Sequence, residues 1–276
     1  MHYKRVNGKS QLARSAFTLI ELLVVIAIIA LLLTIMGPSY NLAKAQVREV
    51  VCKSNLRQWG MIFNLYTQSN DGKFHEGWRG ASDYSGLWLH ALRPYYTHNN
   101  DVRTCPSATK LVELVPGQPS NGGGKLAWGN RTDWIAGDDD PFNYGSYGLN
   151  GYVCSNEYPY IYGDESIYWK MLDVSGASLS TIPILLDSAY WKSYVQTHND
   201  PSVITYDYLH NNPSQTHANY MASHFIDRHK GHVNAVFFDL SVNPTNIKSL
   251  WLLSWNPNWE KRTIPDSDWP DWARGF

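Results

Sequence analysis

The sequence predicts an α+β protein in which one long N-terminal helix, apolar enough in its first half to cross a membrane, carries an antiparallel sheet on its second half. Three observations predict this. Phe17 to Met36 is a run of twenty residues in which Glu21 is the only charge, and twenty helical residues rise about 30 Å, the thickness of a bilayer's hydrocarbon core. Beyond it, Cys52, Leu56, Trp59, Phe63 and Tyr66 recur at spacings of 4, 3, 4 and 3, a single apolar stripe on one helix face. Last, Tyr147–Val153, Ile182–Asp187 and Val233–Val242 have strand character. The third of these is apolar on both faces at its centre and is expected to be internal.

Taken in order, residues 1 to 16 form a basic leader holding Lys4, Arg5, Lys9 and Arg14 and no acid, and they stand outside the fold. Residues 17 to 36 are too long for an ordinary signal-peptide apolar region, and no small-x-small cleavage site follows them, so they read as a membrane span. Basic residues before the span predict a cytoplasmic N-terminus and a C-terminal domain on the other side. A lone carboxylate in such a span costs a few kcal/mol, which marks Glu21 as functional. Gly37-Pro38 weakens the helix without ending it. The second half, residues 37 to 70, should pack its stripe on the globular region, because two heptads are too few for a coiled-coil seam. Ser69-Asn70-Asp71-Gly72 ends the helix.

Residues 71 to 276 are the globular region. Residues 86 to 96 predict a short helix stopped at Pro94, and Val102–Pro106 a brief extended segment. Residues 116 to 146, rich in Gly, Pro, Asn and Asp, read as a long irregular loop. Its Gly122-Gly123-Gly124 lacks the Lys-Ser/Thr ending and the preceding strand of a phosphate-cradling loop. Thr245-Asn246 is placed to cap a short helix from Ile247 to Trp255. The tail, 257 to 276, is rich in Pro and Trp and has no period.

Formal charge is −1, from 23 basic and 24 acidic residues. Four of the bases lie in the leader, leaving 19 against 24, so residues 17 to 276 are mildly acidic and carry no basic stripe. Nucleic acid is not an expected partner. Twelve Trp and eighteen Tyr exceed an ordinary core's needs. Most are read as gap-fillers of a loop-rich domain, with a remainder available as contact surface. Of the three cysteines, Cys52, Cys105 and Cys154, any pair could join, and the count leaves at least one thiol. Cys52 lies on the apolar helix face and Cys105 just before Pro106, so a Cys52–Cys105 disulfide is expected. Closing a loop of about fifty residues stabilises by a few kcal/mol on the chain-entropy model. With no Cys-x-x-Cys, a zinc or thioredoxin-like site is not expected.

Six histidines, His198, His210, His217, His224, His229 and His232, fall in one span with Asp200, Asp207, Asp227 and Asp239. Their spacings match no helical His-x-x-x-His pair, and loop histidines bonded to backbone are the preferred reading over a metal site. Asp138-Asp139-Asp140 is an oxygen-rich candidate for calcium without an EF-hand pattern, and a solvated acidic turn is preferred. No cofactor is otherwise expected. Gly145-Ser146-Tyr147-Gly148 has the wrong spacing for a nucleophile elbow. Ser223, His229 and Asp239 can be drawn as a triad, but spacing supplies no geometry for it. The chain is not expected to be an enzyme.

The basic leader, Ala16, and Phe17-Thr18-Leu19-Ile20-Glu21 opening the apolar run closely resemble the prepilin-type processing motif of type IV pilins and type II secretion pseudopilins. That family usually has Gly before the cut, where this chain has Ala16. The resemblance implies cleavage between Ala16 and Phe17 by a prepilin peptidase and methylation of Phe17. It implies assembly with other pilins or pseudopilins into a filament, driven by an inner-membrane platform and a cytoplasmic ATPase, with lipid holding the subunit beforehand. Glu21 is then an assembly residue, and the location is the bacterial inner membrane with the domain periplasmic or at the surface.

A second resemblance lies past the span. Cys52-Lys53-Ser54-Asn55-Leu56-Arg57-Gln58, Cys105-Pro106-Ser107, Ser146–Gly151 and Arg228-His229 followed by Asp239 are similar to pilin-like proteins abundant in planctomycetes, verrucomicrobia and lentisphaerae. These are typified by His, nine residues, then Asp-Gly. Nine residues separate His229 from Asp239, but Leu240 stands in place of Gly, so the strand is free to continue to Val242. The leading expectation is a structural subunit of a type II secretion or type IV pilus-like filament. The alternative is a minor tip pilin that adheres to glycan or cargo through its Trp- and Tyr-rich domain.

Overall fold

Thr18 and Glu21 start the first helix by capping each other. The Thr18 N–H and hydroxyl donate to Glu21 Oε2 at 2.8 and 2.9 Å, and the Glu21 N–H donates back to Thr18 Oγ1 at 3.3 Å. This is a capping box, which satisfies donors that a helix start otherwise leaves orphaned. In the computed structural model the helix α1 then runs Leu19–Ser69, with Pro38 inside it. The structure describes residues 18–77, 87–96, 99–108, 110–111, 122, 124–129, 144–155, 165–172, 174, 178–196 and 220–275. The leader, Ala16, Phe17, Asp138–Asp140, and His198, His210 and His217 with Asp200 and Asp207 lie outside them.

The chain divides into two units, Met1–Lys44 and Ala45–Phe276. In the first, the described part is helix whose apolar side chains from Leu19 to Met36 are exposed. It is long and apolar enough to cross a membrane, with none of that window buried.

In the second unit, the predicted stripe turns inward. Cys52, Leu56, Trp59 and Phe63 are fully buried, and each large apolar side chain so removed from water contributes about 1.5–3 kcal/mol. The Trp59 indole N–H donates to Val102 O at 2.8 Å, and its ring meets those of Trp88 and Tyr96 edge-on, at 5.1 and 5.0 Å. Short helices α2 (Trp88–Ala91) and α3 (Arg93–Tyr96) follow. Contrary to the expected stop, Pro94 lies inside α3, in its first turn, where its missing N–H costs nothing. Val102 and Arg103 are not extended either. They close a 3-10 turn, Asn100–Arg103, and the extended backbone begins at Thr104.

Strands β1 (Lys110–Leu111), β2 (Leu126–Gly129) and β3 (Tyr144–Gly145) form a small sheet, β1 parallel and β3 antiparallel to β2. The main sheet takes β4 (Tyr147–Asn150), β5 (Pro183–Asp187), β6 (Lys192–Ser193), β7 (His232–Phe237) and β8 (Val242–Asn246) in the order β6-β4-β5-β7-β8. All its pairings are antiparallel except β4 with β6. The central strand β5 is buried throughout, and the β5–β7 register shifts between Pro183 and Leu185, where Pro183 has no N–H to give the ladder. The architecture is α+β, with the second part of α1 against the sheet.

The expected single strand Val233–Val242 is two strands. A turn at Phe238–Ser241 folds β8 back on β7, with Leu240 N–H donating to Phe237 O at 2.9 Å. Leu240 adopts φ 64° to make it, the left-handed conformation that Gly reaches without strain. Asn246 caps the following turn as expected, its side chain accepting from Lys248 N–H at 2.8 Å. That element is a 3-10 helix ending at Leu252. The tail closes over the core through aromatic rings: Trp269 stacks on Phe225 at 5.4 Å and meets Trp251 edge-on at the same distance.

Candidate functional site

Four segments far apart in the chain deliver one buried polar cluster inside the second unit. The inward face of α1 supplies Cys52, and the turn after Arg103 supplies Cys105. The end of β5 supplies Asp187, and the loop entering β7 supplies Arg228 and His229. All are buried. Lys230 and Gly231 both take positive φ, 56° and 84°, so the chain reverses sharply behind His229, and Asp227 Oδ1 accepts the Gly231 N–H at 2.9 Å.

Asp187 is the hub. Its Oδ1 lies 3.2 Å from Arg228 Nη1, and its Oδ2 lies 3.2 Å from His229 Nε2 and accepts the Asn234 N–H at 2.9 Å. Cys52 Sγ stands 3.6 Å from both carboxylate oxygens and is contacted at 3.4 Å by the Tyr147 hydroxyl and by Asn234 Nδ2. Cys105 Sγ is 3.4 Å from His229 Nε2, while its N–H donates to Ser146 Oγ at 2.7 Å. Arg228 also donates to backbone carbonyls, those of Ser146, Ser188 and Leu126. His224 Nδ1 reaches the Asp187 carbonyl at 3.2 Å.

Burial dominates each ionisation and the neighbours then decide its sign. Burial pushes the Asp187 carboxyl up, but His229, Arg228 and the Asn234 N–H together hold it down at about 2. Burial pushes His229 down, yet Asp187 and Cys105 bring it up to about 10. Burial raises the Cys105 thiol, and the hydrogen bond from Cys52 with the charge of His229 lowers it to about 6. Cys52 is raised, by burial, by that hydrogen bond and by Asp187. The cluster thus sets the Asp187 carboxylate against Arg228 and His229, with the Cys105 thiol lowered and the Cys52 thiol raised. Such mutual compensation is what allows charges to be buried at all. His224, with burial its main influence, is held down at about 4.

The cluster is not a relay of the nucleophile–His–carboxylate kind. In such a relay the carboxylate holds one ring nitrogen and the nucleophile the other. Here Cys105 and Asp187 both face the same atom, His229 Nε2. Beside it opens a cleft of about 540 Å³, lined among others by Arg48, Glu49, Lys125, Asp227 and His229. Glu49 bonds Lys53 at 2.6 Å.

Cys52 and Cys105, expected to form a disulfide, are brought side by side but are not joined, and the buried Cys154 forms no disulfide either. His229 is central, whereas Asp239, nine residues on, is exposed and serves the turn, accepting from the Ser241 N–H and hydroxyl at 3.0 and 2.6 Å. The drawn triad of Ser223, His229 and Asp239 is not assembled, since the carboxylate on His229 belongs to Asp187. Sequence reasoning gave no site role to Asp187 or Asn234, nor to Arg228 and Tyr147, which it named only as part of the second resemblance. The available signal was a charge ending the otherwise apolar Ile182–Leu186 run. Of the segments carrying the second resemblance, those with Cys52, Cys105, Ser146-Tyr147 and Arg228-His229 all converge here. Glu21 lies in the exposed first unit, in its capping box.

Residues 12–37 match the family model described as the prokaryotic N-terminal methylation motif, which supports a type IV pilin-like protein with a segment processed by prepilin peptidase. No curated protein and no solved structure matches this chain.

Proposed function

We propose that the chain is a structural subunit, a pseudopilin or pilin, of a type II secretion or type IV pilus-like filament. In this reading it is stored in the inner membrane with its N-terminus cytoplasmic and polymerised through its N-terminal helix. The observation that carries the reading is the methylation motif at residues 12–37 running directly into a helix whose apolar first part is exposed. An exposed apolar helix of that length must be covered, first by lipid and then by copies of itself or of other pilins. The assembly platform and ATPase would supply the work, and the chain itself is read as non-enzymatic. Membership of the branch with the His-x9-Asp-Gly pattern remains part of this proposal.

A glycan-binding tip pilin is the less supported reading. Of the ten tryptophans among the described residues, eight are buried and Trp191 and Trp272 are half-buried, which leaves little ring face for a sugar to stack on.

Glu21 gives the test. Both capping contacts use Oε2, so Oε1 is open to the new amine of a neighbouring Phe17 after cleavage between Ala16 and Phe17. Mass spectrometry of the membrane-extracted protein should find a mature chain beginning at methylated Phe17. Glu21→Leu should insert and be cleaved but fail to enter filaments as the sole copy. Glu21→Gln, which keeps a capping acceptor and loses the charge, should fail too. Normal assembly of Glu21→Gln would assign Glu21 to the cap alone. A chain beginning at Met1 would overturn the filament reading itself.

A further inference from the structure

Cysteine, histidine and carboxylate side chains from four separate segments converge in this fold on one point rather than pairing off. We infer that Cys52, Cys105, Asp187 and His229 bind a single divalent transition metal, zinc by the chemistry of the set, as a structural cross-link within the second unit. This goes beyond the filament role and does not depend on it.

The geometry carries the inference. One ligand atom from each residue lies within 4.8 Å of the others. A tetrahedral zinc with bonds of about 2.0–2.3 Å has ligand-to-ligand edges of roughly 3.3–3.8 Å. The three edges fixed here are 3.6 Å from Cys52 Sγ to Asp187, 3.4 Å from Cys105 Sγ to His229 Nε2, and 3.2 Å from His229 Nε2 to Asp187 Oδ2. The ligands therefore stand close to their bound positions, and His229 presents to the centre the same nitrogen that both Cys105 and Asp187 face.

The donor set selects the ion. Two thiolates and an imidazole favour zinc over magnesium or calcium, and four protein ligands close the sphere as in structural sites. Formal charge agrees: as the metal binds, the thiols and the His229 ring release their protons to solvent, and two thiolates and Asp187 with Arg228 then sum to −2, which a divalent cation cancels. Outer partners are already in place. Arg228 and the Asn234 N–H hold the two carboxylate oxygens, and Tyr147 and Asn234 Nδ2 point at Cys52 Sγ, the arrangement that orients ligands and tunes a metal. The cleft that reaches His229 provides an entry path.

The experiment uses the full chain, extracted in detergent and purified under reductant. Zinc content is measured after zinc loading and desalting, and Co²⁺ serves as the spectroscopic probe. We expect about one zinc per chain, as a closed four-ligand site requires. Co²⁺ should give a thiolate-to-cobalt charge-transfer band with intense tetrahedral visible bands, both abolished by prior zinc loading. Zinc should also raise the melting temperature. Cys105→Ser, which leaves Cys52 as the one thiolate ligand, should lose about half of the charge-transfer intensity, while Cys154→Ser, outside the cluster, should retain all of it. Should Cys105→Ser fail to fold, the wild-type cobalt spectrum and its displacement by zinc still decide. The proposal is overturned by substoichiometric zinc with no cobalt–thiolate band, by a band of undiminished intensity in Cys105→Ser, or by a Cys52–Cys105 disulfide in metal-free chain isolated from cells.

Discussion

At the residue scale, Leu240 departs from the Asp-Gly pattern and still makes the turn that Gly would make. Holding a non-Gly residue at φ 64° costs about 1–2 kcal/mol. The half-buried Leu side chain recovers about 1 kcal/mol by packing, with Cδ2 3.8 Å from where a Cβ on Gly60 would stand. Leu240→Gly should therefore leave stability within about 1 kcal/mol of wild type, whereas Leu240→Ala loses the packing and keeps the strain. Gly should exceed Ala at this position by about 1 kcal/mol. Equal melting temperatures for the two variants would show the turn is not strained. His75 is the other telling residue. It is buried, and burial, assisted by the charge of Lys192, holds its pKa down at about 3. Above pH 6.5 the ring is neutral folded and unfolded alike and adds no pH dependence. Between 6.5 and about 3 only the unfolded chain binds the proton, so stability falls as pH falls, by up to ~1.4 kcal/mol per pH unit. His75→Phe should flatten the acid limb of a stability–pH curve by about one proton. An unchanged slope would mean that His75 takes up its proton in the folded state.

At the scale of elements, α1 approaches β7 at Gly60. A Cβ there would meet Val236 Cγ2 at 2.9 Å, and a β-branched side chain inside a strand has little freedom to turn aside. Gly60→Ala sets a helix-propensity gain of up to about 1 kcal/mol against overpacking of about 1–3 kcal/mol. We expect net destabilisation and a melting temperature lower by a few degrees. Gly37→Ala, with nothing within 4 Å, is the matched control and should show no such loss. A Gly60→Ala chain more stable than wild type would put a wider gap between helix and strand. The long helix, its stripe and the strands β4, β5 and β7 were legible in the sequence because each rests on periodicity within a dozen neighbouring residues. The β7–β8 turn was hidden because its signal residue, Gly, is absent and Leu240 does the same work under strain. The 3-10 turn at Asn100–Arg103 was hidden because its form is set by partners such as Trp59, which takes the Val102 carbonyl.

For the molecule as a whole, the candidate site was half legible. Cys52, Cys105 and His229 stood out by type and by resemblance, but Asp187 showed only as the charge ending an apolar run, with nothing local to tie it to them. Cys52 and Asp187 are 135 positions apart and Cys105 and His229 124, so only the assembled sheet brings them together. The rule that zinc ligands come in close pairs does not reach such a set.

That separation has a consequence in time. Synthesis delivers Cys52 and Cys105 well before Asp187 and His229, and contacts of such long range form late in folding. Until β5 and the loop entering β7 arrive, the two thiols lack the carboxylate and the imidazole that later face them. The growing chain thus passes through an interval of vulnerability in which an oxidant could weld the pair before their later partners enclose them. The order of emergence, and not the final geometry alone, then sets which bond the cysteines keep.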